Sequence, residues 1–440
     1  MKVQKFGGTS VGSPQRMKEV AQLITAEKKN IVVLSAMSGT TNSLVEIADY
    51  FKKRNVEAAN SVIGKLRAKY MDHLPNLYSK QETIDKTRAF LEEQFQALHD
   101  YTSVPFDDNV GKAILSHGEI MSTNMVTNYL CEQGVKTMLI PALDFMRIAE
   151  NGEPDMAFIG TKLKEILKAN PDYDLYITQG FICMNSSNHI DNLQRGGSDY
   201  TACLIGAVLR CEEIQIWTDI DGMHNNDPRV VDNTTPVRQL NFEEAAELAY
   251  FGAKILHPTC IQPARYAGVP VRLLNTMCPS APGTLINNDM QLGSIKAVAA
   301  KDNITAIKIV SSRMLLATGF LRKVFEIFET YNTSIDMVTT SEVGVSLSLD
   351  DTSHLAAIVE KLKQYGTVEV DENMCIICVV GDLRWSNVGF ETIATDALSE
   401  VPVRMISYGG SNHNISFLIR EEDKAKALCA LSAHLFKAAN

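Results

Sequence analysis

The last part of the chain repeats itself, and this repeat limits the folds open to it more than any other feature. When the sequence is shifted by 70 positions it overlays on itself without a gap, so that Gly319 falls on Gly389. The runs Val343–Leu349 and Asn414–Ile419 alternate with the period of a strand that buries one face. Each copy predicts the order strand, helix, strand, strand, helix, so the chain ends in two copies of one α+β unit.

The preceding part alternates short β-branched runs with amphipathic helices, which is typical of a parallel sheet flanked by helices. Residues 51–102 are helical in pattern and heavily charged, which indicates a helical lobe outside the sheet. The turn-rich stretch Asn275–Asn288 marks a boundary, and the predicted domains are residues 1–290, 300–370 and 371–440. The predicted strands of the first domain are Val3–Phe6, Ile31–Ser35, Val135–Pro141, Leu175–Phe181, Glu213–Asp219 and Pro270–Leu274.

Composition excludes some partners. The 440 residues are enough for two to four domains with real cores. The net charge of −10 predicts no nucleic-acid or anionic-membrane partner, so an anionic ligand needs a local positive site. Met1–Ser10 holds no apolar signal-peptide core, and runs such as Ile31–Leu34 are too short to span a bilayer.

The cysteines indicate a reducing compartment, because the nine of them are odd in number and scattered. Together with the missing signal peptide, this predicts a cytoplasmic protein. Cys375 and Cys378 form a C-x-x-C match, but their apolar neighbours predict a buried strand, where these two side chains point to opposite faces. A redox or metal role is therefore disfavoured.

Lys5 and the glycine pair Gly7-Gly8 follow the first predicted strand directly. Paired glycines let backbone N–H groups approach an anion, the next helix adds its positive end, and Lys5 adds a full charge. The segment does not have the spacing of the P-loop. A plain strand-to-helix turn explains the glycines about as well.

Arg195, Gly196, Gly197, Ser198 and Asp199 repeat this device at the start of a predicted helix. Ser and Asp are also favoured as helix caps, which is the alternative explanation. A bare cap does not need an arginine before a glycine pair, so the pattern favours anion binding.

Two further segments are weaker by themselves. Ile216–Gly222 ends a strand in polar residues, and Asp227–Arg229 follows it; in open α/β sheets, ligands lie beyond the carboxyl ends of strands. A polar turn with a solvated arginine is the simpler explanation. In Gly252–Pro258, Lys254 is the candidate for function, whereas His257 is better explained as a structural contact because one histidine makes no metal site.

Together these segments resemble the aspartate kinase family, in the family's order and over nearly the whole chain. The resemblance implies an α/β fold: an amino-acid kinase-like α/β/α sandwich followed by two ACT-like βαββαβ domains, which bind small molecules. It implies transfer of the ATP γ-phosphoryl group to the β-carboxylate of L-aspartate, without a fused homoserine dehydrogenase. The motifs are KFGGTSV at 5–11, SHGE at 116–119, RGGSDYTA at 195–202, WTD at 217–219, DPR at 227–229, GAKILHP at 252–258 and TTSE at 339–342.

The resemblance implies a catalytic set of Lys5, Asp199 and Lys254. Both lysines would contact the transferring phosphoryl group, with Mg²⁺ shared among the phosphates of ATP. The attacking carboxylate is already ionised at neutral pH, so no general base is needed and Asp199 is assigned to orienting the lysines or the metal. No residue is assigned as a direct metal ligand.

It also implies substrate and nucleotide contacts. Arg195 would fork onto the aspartate α-carboxylate and Glu119 would accept from its ammonium. Where the family often has tyrosine, this chain has His224, which can still stack on adenine. The substrate set is Thr41, Glu119, Arg195, Gly196 and Ser198; the nucleotide set is Lys5, Gly7, Gly8, Thr218, Asp219, His224, Arg229, Lys254 and Ile255.

The first ACT-like copy matches the lysine-binding pattern of lysine-sensitive, monofunctional members, with Ala317 where a serine is expected. L-Lysine is the predicted inhibitor and threonine the second choice. A homodimer or higher homo-oligomer through the ACT-like domains is expected. The matching residues are Met314, Gly319, Phe320, Leu321, Asp336, Thr340, Ser341 and Glu342.

Two other functions stay open. Another amino-acid kinase, such as an acetylglutamate or glutamate kinase, is disfavoured by the contexts of Glu119, Arg195 and Lys254 and by the tandem ACT-like copies. A non-catalytic amino-acid sensor built on a decayed kinase would first lose its phosphoryl-transfer groups, yet Lys5, Asp199 and Lys254 are present.

Overall fold

The computed structural model describes residues 1–26, 29–193, 196–252, 257–314 and 318–436. These residues form two compact units, one drawn from Met1–Met223 and Ile255–Asn288, the other from His224–Lys254 and Asp289–Asn440. The strands are β1 (Val3–Phe6), β2 (Asn30–Leu34), β3 (Thr137–Leu139), β4 (Leu175–Gln179), β5 (Ile182–Met184), β6 (Ile190–Asn192), β7 (Ile214–Thr218), β8 (Gln239–Asn241), β9 (Val271–Asn275), β10 (Thr284–Asn287), β11 (Ile295–Val310), β12 (Met337–Thr340), β13 (Gly344–Leu349), β14 (Thr367–Gly381), β15 (Val403–Tyr408) and β16 (Asn414–Arg420). The helices are α1 (Pro14–Thr25), α2 (Thr40–Lys52), α3 (Val56–Leu77), α4 (Gln81–Asp100), α5 (Asp108–Glu132), α6 (Met156–Ala169), α7 (Gly197–Leu209), α8 (Phe242–Tyr250), α9 (Gln262–Ala267), α10 (Phe320–Thr330), α11 (Leu355–Leu362), α12 (Phe390–Ala397) and α13 (Lys424–Leu435).

The first unit is built on a sheet whose strands lie in the order β3-β4-β2-β1-β7-β9-β10. All neighbours are parallel except β9 and β10. Every residue of β2 is buried, as expected for a strand inside a parallel sheet, and Phe6 of β1 stacks on Trp217 of β7 with ring centroids 5.6 Å apart. Because these strands run in one direction, β1, β2, β4 and β7 end at the same edge.

The predicted strands of this part are confirmed, with ends that differ by at most two residues. The predicted helical lobe is confirmed as well, in α3 and α4. Buried residues of α3 recur at helical spacing, Leu66, Tyr70, Leu74 and Leu77 among them, and they join the same hydrophobic core as α2 and α5.

The second unit contains a six-stranded antiparallel sheet in the order β12-β13-β11-β14-β16-β15. The long strands β11 and β14 pair along their length, and the register shifts near Asn303 and Asn373. These two asparagines have left-handed φ values of 59° and 56°. They lie 70 positions apart in the sequence, so the repeat seen there is present in the backbone, and the predicted order of elements in each copy is confirmed.

The predicted division at 370/371 stays a prediction. The residues of β11 that pair with β13 are 305–310, whereas 295–301 pair with 376–381 of β14, which in turn pairs with β16. Each half of the sheet thus receives one segment from each long strand.

Cys375 and Cys378 lie buried in β14, as predicted, and burial raises the pKa of both thiols. Among the described residues, no group of three or more His, Cys, Asp or Glu side chains is arranged to hold a metal ion. In the same part of the chain, no helix is long and apolar enough to cross a membrane.

Candidate active site

Two loops meet at the carboxyl edge of the first sheet. The N–H of Ser35, which follows β2, donates to Phe6 O at 3.2 Å, and the N–H of Ser38 donates to Gly8 O at 3.1 Å. A Cβ on Gly8 would lie only 2.8 Å from Ala36 O, so the close approach of the two loops requires glycine there.

Lys5 of β1 and Asp199 of α7 form an ion pair in this region, with 2.7 Å between Lys5 Nζ and Asp199 Oδ1. Their side chains are 13% and 15% exposed, so little water screens the pair. The structure therefore brings together two of the three predicted catalytic residues. The third, Lys254, lies outside the described residues, as does the predicted nucleotide contact Ile255.

Helix α7 begins as an anion site would. Its cap is Gly196 in the left-handed conformation (φ 70°), and no side chain caps the helix. The N–H of Asp199 donates to Gly196 O at 2.9 Å, so an anion would bind at the earlier N–H groups of the first turn. A Cβ on Gly196 would lie 2.0 Å from Cys260 Sγ, so only glycine fits. Arg195, just before it, lies outside the described residues.

Ser198 is tied to the end of β2. The hydroxyl of Ser35 donates to Ser198 Oγ at 2.9 Å, and the hydroxyl of Ser122 donates to Ser35 O at 2.8 Å. Gly180, which follows β4, lies against Ser198. Sequence reasoning missed Ser35 and Gly180, because it placed each of these small residues within the end of a predicted strand, whereas each directly follows an observed one.

We expect Gly180→Ala to lower the free energy of unfolding by about 1–3 kcal/mol, because the new Cβ overpacks this contact. That Cβ would lie 2.3 Å from Ser198 Oγ and 2.7 Å from Ser198 Cα. Urea denaturation measures the change. Gly64→Ala on α3 is the control: its Cβ meets nothing within 4 Å, so stability should stay the same or rise. Equal stability of the two variants would contradict the crowding.

Glu119 is a buried carboxyl group with a free oxygen. It lies in the middle of α5, and the N–H of Ala36 donates to its Oε1 at 3.2 Å. Oε2 has no hydrogen-bond partner among the described residues, and burial raises the pKa of Glu119 to about 8. A cation beside this carboxyl group would stabilise its ionised form. The ammonium group of an amino acid is such a cation.

Thr41 lies exposed in the first turn of α2, beside this region. The helix cap is Gly39 with φ 81°, and no side chain caps the helix. Thr41 is therefore available to a ligand, and its predicted substrate contact stays a prediction.

The predicted nucleotide residues are divided between the units. Thr218 ends β7 in the first unit, and its hydroxyl donates to Asp219 Oδ1 at 3.1 Å. In the second unit, His224 Nδ1 lies 2.9 Å from Thr234 Oγ1, and exposed Arg229 forks onto Asp227 with bonds of 2.8 and 2.9 Å. Their contacts with a nucleotide stay predictions.

Among the predicted effector residues, Asp336 is already engaged. Lys301 Nζ lies 2.7 Å from Asp336 Oδ1 and 2.9 Å from Asp350 Oδ2. The hydroxyl of Tyr250 donates to Asp336 Oδ1 at 2.6 Å, and burial together with this bond raises the pKa of Tyr250. Asp336 Oδ2 is buried and has no hydrogen-bond partner among the described residues. Sequence reasoning missed Lys301 and Tyr250.

The other effector residues lie around the start of α10 and the end of β12. Gly319 caps α10 with φ 80°, and the N–H of Ser341 donates to Gly344 O at 2.8 Å. Ala317 lies outside the described residues. Of the remaining set, Phe320 is buried, Met314 is half-buried, and the exposed members are Leu321, Thr340 and Glu342.

A separate cavity of about 650 Å³ lies in the first unit. The ion pair of Lys112 and Asp191, with 2.7 Å between Nζ and Oδ2, belongs to its lining. Lys5, Asp199 and Glu119 do not line it. Because the buried carboxylate of Asp191 is already paired with Lys112, we assign the chemistry to the carboxyl edge of the first sheet.

Comparisons with known proteins find two family models in this chain. The model of the amino acid kinase family matches residues 1–275, and the ACT domain model matches residues 377–435. The lysine-sensitive aspartokinase 3 of Escherichia coli K12 is 33% identical over 99% of this chain and 99% of its own length. The crystal structure of E. coli aspartokinase III with aspartate and ADP (R-state) has a TM-score of 0.85 and 32% identity; the one with lysine and aspartate (T-state) has 0.80 and 32%. Each comparison covers 99% of this chain and 100% of the other.

Proposed function

The chain belongs to the aspartokinase family, and we propose that it transfers the γ-phosphoryl group of ATP to the β-carboxylate of L-aspartate, forming aspartyl phosphate. The observation that carries the proposal is the Lys5–Asp199 pair, with 2.7 Å between Nζ and Oδ1. It lies at the strand edge where Ser35 joins Ser198 and Ala36 joins Glu119. A phosphoryl-binding cation thus lies close to a site suited to an amino acid.

Catalysis in this site is positioning and charge neutralisation. Lys5 stabilises the negative charge on the transferring phosphoryl oxygens, and Asp199 holds its ammonium in place. The side-chain carboxyl of aspartate ordinarily has a pKa of about 4, so it is ionised at neutral pH and no side chain has to remove a proton. Lys254 is proposed as a second phosphoryl-binding cation.

Mg²⁺ fits this site as an ion carried by the nucleotide. Among the described residues no trio of ligands forms a protein cage for it, and Mg²⁺ commonly keeps few protein ligands beside phosphate oxygens. Asp199, next to Lys5, is the carboxylate proposed to reach the ion. Bound there, Mg²⁺ would neutralise phosphate charge.

The substrate contacts follow from charge. Glu119 accepts from the α-ammonium of aspartate, and Arg195 is proposed to bind the α-carboxylate bidentately. Thr41, Gly196 and Ser198 complete the pocket. Glutamate is longer by one methylene, and a closely fitting pocket discriminates against it by about 1–3 kcal/mol. The proposed nucleotide contacts are Lys5, Gly7, Gly8, Thr218, Asp219, His224, Arg229, Lys254 and Ile255.

Trapping of the acyl phosphate tests the reaction. Purified protein, Mg-ATP, hydroxylamine and L-aspartate should yield aspartyl hydroxamate, measured by its coloured iron complex. N-Acetylglutamate and glutamate replace aspartate in parallel reactions. Hydroxamate from either of these but not from aspartate would overturn the substrate in favour of another amino-acid kinase. No hydroxamate from any acid, with amino-acid binding retained, would favour the sensor.

L-Lysine is proposed as the inhibitor, bound by the first ACT-like copy, with threonine as second choice because Ala317 replaces the expected serine. Asp336 and Glu342 suit an ammonium group. The related E. coli enzyme binds lysine in its T-state structure. A homodimer through the ACT-like domains is part of the proposal, and the cytoplasmic location stays a prediction.

We expect Lys301→Met to lower the lysine concentration needed for half inhibition by about threefold or more. Allosteric coupling typically changes affinity by an amount of this order or larger. The ammonium of Lys301 competes with that of the effector for Asp336, and Met removes the competitor. Dose–response curves of hydroxamate formation measure the change. Lys308→Met on the same strand, which removes an exposed pair with Glu369, is the control and should match the wild type. A higher or unchanged half-inhibiting concentration in Lys301→Met would contradict this competition.

A further inference from the structure

Helix α3, in the helical lobe, contacts the loop that leads to the substrate residue Thr41. The hydroxyls of Tyr70 and Thr40 lie 3.0 Å apart, and both residues are fully buried. One position earlier on α3, Lys69 Nζ donates to Ser38 O at 2.8 Å. Two adjacent helix residues thus hold the loop on either side of Gly39, whose φ is 81°.

The lobe anchors Tyr70 firmly. It belongs to the buried stripe of α3, and its ring packs edge-on against Phe95 of α4, with centroids 5.8 Å apart. A small shift in α3 would therefore move Thr40, and Thr41 with it. Burial raises the pKa of Tyr70, and the charge of Glu119 raises it further.

The backbone of the turn at 38–41 is bonded from Ser38 N–H to Gly8 O and from Thr40 N–H to Met37 O, but no side chain of the turn itself caps the helix. Helix α2 begins at Thr40 without a side-chain cap, and its cap residue is a left-handed glycine. Glycine leaves a turn many alternatives, so contacts from elsewhere have to select one conformation. Tyr70 and Lys69 supply such contacts.

We propose that Tyr70 and Lys69 are positioning residues, which hold the 38–41 turn so that Thr41 and the start of α2 meet the amino-acid substrate. This rests on the proposed aspartate site. It gives the helical lobe a role in substrate affinity, since neither residue has to touch substrate or nucleotide. The lobe has this role because Tyr70 and Lys69 contact the 38–41 turn from a helix that lies outside the sheet.

Steady-state kinetics of Tyr70→Phe test the proposal. We expect the KM for aspartate to rise about five- to tenfold, a tenfold change being about 1.4 kcal/mol, with kcat and the KM for ATP within about twofold of wild type. Tyr78→Phe is the matched control: its buried hydroxyl donates to Met125 O at 2.8 Å and is not bonded to the 38–41 turn. It should keep the wild-type KM. Thr40→Ser, which keeps the hydroxyl, should lie near wild type, whereas Thr40→Val should behave like Tyr70→Phe.

If Tyr70→Phe does not fold, a second pair of variants on α3 tests the same proposal. Lys69→Met removes the bond to Ser38 O and should raise the KM for aspartate, whereas Lys65→Met, exposed one turn earlier on α3, should not. The proposal would be overturned if the two variants of either matched pair had equal KM values for aspartate, whether both values were unchanged or both were raised. A wild-type protein without aspartate-dependent hydroxamate would instead overturn the proposed function.

Discussion

Lys5→Met should lower kcat about 10²–10³-fold, with a smaller effect on the KM for aspartate. The ammonium lies where charge develops on the transferring phosphoryl group, and loss of one such charge-stabilising donor typically costs this much. The ion pair with Asp199, with 2.7 Å between Nζ and Oδ1, holds the Lys5 ammonium in place before substrate binds. The lower kcat of Lys5→Met would therefore come from the loss of this positive charge. Hydroxamate formation at saturating aspartate and ATP measures kcat.

The control for Lys5→Met is Lys65→Met, which removes an exposed ammonium on α3. Thermal unfolding shows whether both variants are folded. Asp199→Asn completes the test: it should lower kcat by a smaller factor, and a higher pH should not restore the rate, because no general base is needed. A near-normal kcat in Lys5→Met would mean that the phosphoryl group binds elsewhere.

The sequence predicts the separate parts of this site well. A strand followed by Gly7 and Gly8, and the segment that begins α7, are local patterns with local physical causes. That Lys5 meets Asp199 depends on β1 lying between β2 and β7, which is a property of strand order. Only the family resemblance supplies that information before the structure does.

Positions that act through another residue leave no such signal. Tyr70 has the helical spacing of a core residue, and nothing in its surroundings in the sequence distinguishes it from Leu66 or Leu74. In the sequence, Lys301 is a single polar residue within a strand. Their partners, Thr40 and Asp336, lie 30 and 35 positions away along the chain, so their roles follow from tertiary contacts alone.

The repeat shows a similar limit at the level of the fold. The offset of 70 predicts two copies with the same elements, and the matching left-handed asparagines Asn303 and Asn373 bear this out. Alternation of side chains reports which face is buried, but it carries no information about the neighbouring strand. The division of β11 between the two halves of the sheet therefore could not be predicted.

Glu119 should make aspartate binding depend on pH. Burial raises its pKa from the ordinary 4.5 of a glutamate side chain to about 8, so at pH 6 the empty site holds a neutral carboxyl group. The substrate ammonium favours the ionised form, so binding releases a proton and the apparent affinity scales with the ionised fraction. The KM for aspartate should fall about tenfold per pH unit between pH 6 and 7.5, and level off above about pH 8.

Glu119→Gln should raise the KM for aspartate about 10²-fold at pH 8, because the ammonium loses its charged partner, and abolish the pH dependence between 6 and 8. Glu57→Gln, exposed in the first turn of α3, should retain the wild-type profile. A pH-dependent KM in Glu119→Gln would assign the titration to another group.

The carboxyl group of Glu119 should also make the stability of the folded protein depend on pH. The folded protein holds the Glu119 proton more tightly than the unfolded chain does, so this carboxyl lowers the stability as pH rises from about 4.5 to about 8. Glu119→Gln should therefore be more stable than wild type at pH 8, by at least about 1 kcal/mol, and the gap should narrow towards pH 5. Urea denaturation without aspartate at both pH values measures this. A variant that is more stable while binding substrate more weakly would show that Glu119 is retained for recognition at the expense of the fold.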